Sequence, residues 1–162
     1  MAGRRKAYPL NASQQRTWRN YMEVYHRLEY EMNRQLLAEC GLSLSDYTVM
    51  NALSQSRGRR AQPTALATTI GWERSRLSHH LKRMAGRGLV DRVPSEVDGR
   101  ASDAVLTDTG WDTLRAAAPQ HAAWVRTLFF SDIDTHQEHE LADILATVYG
   151  SILREGTLPR PN

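Results

Sequence analysis

Apolar residues recur every three or four positions through the first quarter of the chain. Trp18, Tyr21, Met22, Tyr25, Leu28, Met32, Leu36 and Leu37 make one stripe, the mark of an amphipathic helix. The spacing predicts a helix over residues 13–39, with Ser13 as its N-cap and Gly41 just past its end. Such a helix is longer than the globular average and offers more apolar surface than one small module can cover. A second helix is predicted from a cap at Ser45, with Tyr47, Val49, Met50, Ala52 and Leu53 inside it. Gly58 and the Arg59-Arg60 pair read as a loop. Pro63 suits the first turn of a short helix, whose buried edge is Leu66, Ala67 and Ile70. Gly71 supplies a turn, and the next helix buries Leu77, Leu81 and Met84, ending at Gly86-Arg87-Gly88. Residues 89–93 and 101–106 read as paired strands, with the turn signal Asp98-Gly99 between them. Thr107 is a good N-cap. The helix after it carries Trp111, Leu114, Ala117, Trp124, Leu128 and Phe130, with Pro119 inside, and breaks at 131–134. A last helix over residues 135–153 carries Leu141, Ile144, Leu145, Val148 and Ile152 at helical spacing.

The order over residues 63–110 is helix, turn, helix, hairpin. It predicts a mainly α fold with a small β-hairpin wing, a winged helix-turn-helix whose second helix enters the DNA major groove. We expect one unit over 1–162, with a DNA-binding region at 45–106 and helical dimerisation regions at 13–40 and 107–153.

Charge sharpens the picture. The chain carries a net charge of only +3, but residues 57–100 hold ten basic and four acidic residues, a net of +6, while residues 101–162 are at −5. A basic block over the reading head with an acidic tail behind it is the asymmetry of a polyanion binder. The competing reading is a solvated face, and the motif order favours DNA. The candidate contacts are Thr64, Arg74, Ser75, Arg76, Ser78, His79, Lys82 and Arg83, the helical ones lying off the buried stripe, plus Asp98 and Arg100 at the wing. Arg makes bidentate contacts to guanine, and Ser bonds to bases or phosphate. Arg100 suits a narrow minor groove. Asp98 has the wrong charge for DNA and would orient an arginine.

The remaining composition excludes other classes. No apolar run approaches the roughly 20 residues of a membrane span, no secretory signal is evident, and a lone Cys40 fits a reducing compartment; a cytoplasmic protein is expected. No phosphate loop, nucleophile elbow or metalloprotease pair is present, so no enzyme is expected, and no cofactor. A winged module used only for protein contacts would not need the Arg74/Ser75/Arg76/Ser78 surface. The large apolar stripes at both ends of the chain are most economically covered in a symmetric homodimer. Its two heads would face half-sites about 34–36 Å apart or a multiple of that.

Residues 63–110 also carry a resemblance. The recognition helix followed by Gly-Leu-Val, the wing Asp98-x-Arg100 and the Leu-Thr-x-x-Gly entry at 106–110 resemble the multiple-antibiotic-resistance regulator (MarR) family of transcription factors. The likeness runs over about 13–153. It implies a homodimer on a palindromic double-stranded DNA operator, most often as a repressor, and in many members release by a small aromatic ligand. In similar proteins that ligand sits between the dimerisation helices and the reading head. Trp18, Tyr21, Tyr25, His26, Tyr47 and Trp111 are the corresponding candidates here; the other reading of these aromatics is core and dimer packing. Peroxide-sensing relatives carry a cysteine near the start of the first helix. Cys40 lies at the other end, where the helix dipole disfavours a thiolate, and reads as structural. His136 and His139 share a helix face that Glu140 and His121 could join, but two surface histidines fall short of a zinc shell, and no metal is assigned.

Overall fold

The computed structural model describes residues 8–95 and 101–161; the expected wing turn with Asp98 and Arg100 lies outside the described residues. Helix α1 spans Ala12–Cys40 and is capped by Asn11, not by Ser13. Asn11 Oδ1 accepts the Gln14 N–H at 2.9 Å while Gln14 Oε1 accepts the Asn11 N–H at 3.0 Å. Ser13 has Arg16 three residues on and cannot form this reciprocal box. The same rule moves the next cap. Helix α2, Leu44–Gln55, starts from Ser43 rather than Ser45. Ser43 N–H donates to the Asp46 carboxylate and Asp46 N–H to Ser43 Oγ, each at 3.0 Å.

Where a loop was expected, a 3-10 turn (Arg57–Arg59) leads into a two-residue strand β1, Arg60–Ala61. Helices α3 (Pro63–Ile70) and α4 (Arg74–Gly86) follow, with Pro63 in the first turn. Gly71 between them has φ 70°, left-handed, and its N–H closes onto the α3 carbonyls of Ala67 and Thr68. Glycine adopts this conformation without the clash a Cβ brings. Strands β2 (Val90–Pro94) and β3 (Ser102–Leu106) pair antiparallel from Val90↔Leu106 to Pro94↔Ser102. Strand β1 covers the other edge of β3, giving the order β1-β3-β2. Leu89 begins the expected strand, yet its N–H closes α4 on Met84 O at 3.1 Å, so pairing starts one residue later.

The core lies within this head. Val49, Met50 and Leu53 of α2 meet Leu66 of α3, Leu77, Leu81 and Met84 of α4, and Val90, Ala104 and Leu106 of the sheet. Burying each of these larger side chains contributes about 1.5–3 kcal/mol. Helix α5, Asp108–Val125, starts from Thr107, as expected, and adds Leu114 and Ala117 to the core. Thr107 Oγ1 donates to Gly88 O at 2.7 Å and accepts the Gly110 N–H at 2.9 Å. A Cβ on Gly110 would stand 2.0 Å from Leu89 O, so glycine is what lets α5 seat this close. This explains the Leu-Thr-x-x-Gly spacing. The helix then widens into a π-helical turn, Arg126–Phe130, where one continuous helix was expected.

Helix α6, Thr135–Glu155, is capped by Asp134 and buries no residue. Its apolar stripe is open: Ile144 and Ile152 are each 58 % exposed.

Candidate nucleic-acid interface

Four α4 side chains face inward: Leu77, His80, Leu81 and Met84. At about 100° per residue, Ser75, His79 and Lys82 point most directly away from that stripe. Ser78 lies on one flank. Arg76 and Arg83, two turns apart, share the other. Arg74 opens the helix. All seven, and Thr64 in the first turn of α3, are exposed. A groove of about 580 Å³ runs between the start of α3, the start of α4 and the wing strands. Thr64, Arg74, Ser75 and Ser78 line it, together with Gln62, Arg92, Ala101 and Ser102. Arg92 and Gln62 were not among the sequence candidates. Arg92 was visible only as one charge of the basic block; its place beside the α4 N-terminus comes from the sheet.

The basic block divides in two. Three of its arginines tie the head together. Arg59, held at φ 55°, meets Asp108 at 3.1 Å and lies over the Trp111 ring at 5.4 Å. Arg60 reaches Asp103 Oδ2 at 2.9 and 3.1 Å and Pro94 O at 3.1 Å, joining β1 to both strands of the wing base. Arg87 donates to Asp46 Oδ2 at 2.6 Å and to Gly41 O at 2.9 Å, clasping the α1–α2 corner. Regional charge counting therefore overstates the reading surface. Arg74, Lys82 and Arg92 make no ion pair among the described residues, and Arg76 stacks its guanidinium over Trp72 at 4.0 Å.

Beneath α4 lies a buried polar knot. Asp46 is 4 % exposed. Burial works against its charge, but His80, the Ser43 N–H, Arg87 and the Ser43 hydroxyl more than offset this and hold the carboxyl well below the usual carboxylate range. His80 is 5 % exposed, with Nε2 at 3.0 Å from Asp46 Oδ1 and Nδ1 at 2.8 Å from Arg83 Nη2.

The six candidate ligand residues fall in separate places. Trp18, Tyr21, Tyr25 and His26 form a ladder along α1, with successive ring centroids at 5.6, 6.3 and 5.3 Å. Its first three rings are about half exposed. Tyr47 instead packs on His121 at 4.7 Å, and Trp111 sits under Arg59. His121 bonds to Gln35 Oε1 at 2.9 Å and stacks on Trp124 at 5.9 Å; burial lowers its pKa. His136 lies 3.8 Å from Glu140, and no group of three metal-ligating side chains occurs among the described residues. The Cys40 thiol faces Gln120 Oε1 at 3.7 Å, and burial, then Glu39, raise its pKa; it lacks the electropositive setting of a reactive thiolate. No described helix is long and apolar enough to cross a membrane.

A three-stranded sheet with its hairpin, a glycine-turned helix pair and an exposed basic second helix define a winged helix-turn-helix. The profile of the MarR family matches residues 41–101. A MarR family transcriptional regulator from Streptomyces coelicolor, solved in complex with DNA, is 33 % identical; the match covers 98 % of this chain and 100 % of that one, with a TM-score of 0.87. AbsC, another MarR family regulator from Streptomyces coelicolor, is 34 % identical over 90 % of this chain and 98 % of that one, with a TM-score of 0.82. The chain belongs to the MarR family of DNA-binding transcriptional regulators. An organohalide-sensing regulator with 2,4-dichlorophenol bound shares the fold at 21 % identity and a TM-score of 0.75, over 96 % of this chain and 90 % of that one. Among curated proteins none matches.

Proposed function

We propose that this regulator acts as a homodimeric repressor that reads a palindromic operator with α4 and flanks it with the wing. The observation that carries the reading is the groove joining Thr64, Arg74, Ser75, Ser78 and Arg92 beside the outward face of Ser75, His79 and Lys82. A helix N-terminus with hydroxyls and guanidinium groups around it suits phosphate and base edges together. The relative solved on DNA supports the same use.

Helix α6 buries nothing, and α1 keeps Trp18, Tyr21, Val24 and Tyr25 about half exposed. Apolar stripes of this extent are covered by a second copy. The aromatic ladder of α1 is then the wall on which a small aromatic ligand binds and shifts the heads, a reading supported by the dichlorophenol-bound regulator of the same fold.

A gel shift with genomic fragments tests DNA binding. Sedimentation at micromolar concentration is expected to give about twice the 18.4 kDa chain mass. A stable monomer would remove the two-half-site reading. Adding 2,4-dichlorophenol to the bound complex tests the ligand reading, with release of DNA as the expected result.

A further inference from the structure

We propose that His80, buried beneath α4, is the positioning residue for Arg83: as the neutral imidazole with its proton on Nε2, it accepts the Arg83 guanidinium at Nδ1 and sets that cation on the rim of the reading helix. The proposal rests on the DNA-binding reading above.

One neighbour selects the tautomer and the other is compatible with it. A guanidinium has donors only, so an Nδ1 standing 2.8 Å from Arg83 Nη2 must be the bare nitrogen. The neutral ring then carries its hydrogen on Nε2, which stands 3.0 Å from the acceptor-only Asp46 Oδ1. That second contact is close, but Nε2 makes no well-formed hydrogen bond. The directed bond of this imidazole is thus the one to Arg83. A doubly protonated ring would turn Nδ1–H against the guanidinium and break it.

The ring plane is itself fixed. Trp72, in the turn before α4, meets His80 edge-on at 5.5 Å and 81°. The Trp72 ring carries the Arg76 guanidinium at 4.0 Å. Arg76 and Arg83 are four residues before and three residues after His80, the two spacings that bring helical side chains together. One buried imidazole therefore backs both arginines of the same flank, one by a hydrogen bond and one through Trp72. A cation on the rim of the reading helix can reach the phosphate backbone, to which most protein–DNA hydrogen bonds go. Holding a long side chain in place before binding removes an ordering cost from the binding step.

The experiment separates the two nitrogens. In His80→Asn the amide oxygen stands near the place of Nδ1 and keeps an acceptor for Arg83. In His80→Gln the amide nitrogen stands near the place of Nε2 and keeps the donor toward Asp46, while its oxygen stands away from the place of Nδ1 and offers Arg83 no acceptor there. Binding to a random-sequence 30-base-pair duplex at low salt is measured by anisotropy, since a phosphate contact does not need the operator. We expect His80→Gln to weaken binding roughly 2- to 10-fold and to lower the salt slope as Arg83→Ala does. We expect His80→Asn to stay within about twofold of wild type, and the double variant His80→Gln/Arg83→Ala to bind no worse than Arg83→Ala. Losses that multiply independently, or His80→Asn as weak as His80→Gln at matched thermal stability, overturn the proposal while leaving the DNA-binding reading intact. A wild-type chain that binds no duplex overturns both. If the His80→Gln variant does not fold, long-range proton–nitrogen spectra of wild type decide: protonated Nε2 with bare Nδ1 supports the proposal, and the opposite tautomer refutes it.

Discussion

Replacing Gly110 by alanine places a methyl group 2.0 Å from Leu89 O, 2.8 Å from Leu106 Cδ1 and 3.0 Å from Leu89 C. Leu106 could rotate, but the carbonyl belongs to backbone that also accepts the Thr107 N–H at 3.2 Å. Relief requires α5 to move off the start of β2 by more than an ångström, stretching the Thr107 bonds to Gly88 and Gly110. Two opposing effects set the magnitude. Alanine gains about 1 kcal/mol of helix propensity over glycine. Overpacking costs about 1–3 kcal/mol where side chains can yield, and more where they cannot. Losing the Thr107 cap adds about 1 kcal/mol. The net expectation is a destabilisation of about 1–3 kcal/mol. At roughly 2–4 °C per kcal/mol for a chain of this size, the melting temperature falls by about 2–12 °C. Thermal and urea melts at fixed protein concentration measure it. A Gly110→Ala variant more stable than wild type would show propensity acting alone and would falsify the close approach of α5 to Leu89.

The other expectations test separate parts of the molecule. Asp46→Asn should destabilise by about 1.5–3 kcal/mol, the usual worth of hydrogen bonds to a charged group, read by urea melts; an unchanged midpoint would mean the Arg87 clasp is idle. Because the folded Asp46 carboxyl is held below its ordinary value, its contribution is present above about pH 3.9 and is lost as pH falls through the folded value; in the Asp46→Asn variant this part of the acid sensitivity should vanish. Burial lowers the His121 pKa, so its neutral form stabilises the fold fully above about pH 6.5 and progressively less below it; His121→Gln should flatten the melting temperature across that window, and an unaltered slope would refute this. Ser78→Ala should weaken operator binding by about 1–3 kcal/mol if it reads a base. Lys82→Ala should instead weaken all duplexes alike and lower the salt slope by about one contact; the reverse pattern in the two titrations would exchange their roles.

The helical frame was legible because each stripe is long enough to fix its phase. Leu77, Leu81 and Met84 set the rotation of α4 and with it the outward set Ser75, His79 and Lys82. What escaped was set by partners distant in sequence. His80 stands three residues after Leu77 and four before Met84, on the buried stripe by spacing alone, yet histidine beside His79 reads as polar surface until Asp46 is found beneath it. Strand β1 has two residues and no pattern; only pairing with β3 defines it. Arg59, Arg60 and Arg87 looked like part of the DNA-facing charge because a sequence does not show the aspartates that bind them. The caps show the opposite case. Asn11-x-x-Gln14 and Ser43-x-x-Asp46 are short-range signals that outrank Ser13 and Ser45 once the third residue on is considered.

Helix α5 is anchored at one end by Thr107 to the base of the wing and leads at the other toward the π turn and α6. Its 18 residues make a rod of about 27 Å. Pivoting such a rod by only about 10° at the far end carries its anchored end through about 5 Å, the length of a full helical turn. DNA stacks its base pairs every 3.4 Å along a strand, so a tilt this small is enough to take a reading head out of register with its half-site. In the proposed homodimer, mechanical gain of this kind would let a small change among the terminal helices decide whether both heads fit one operator.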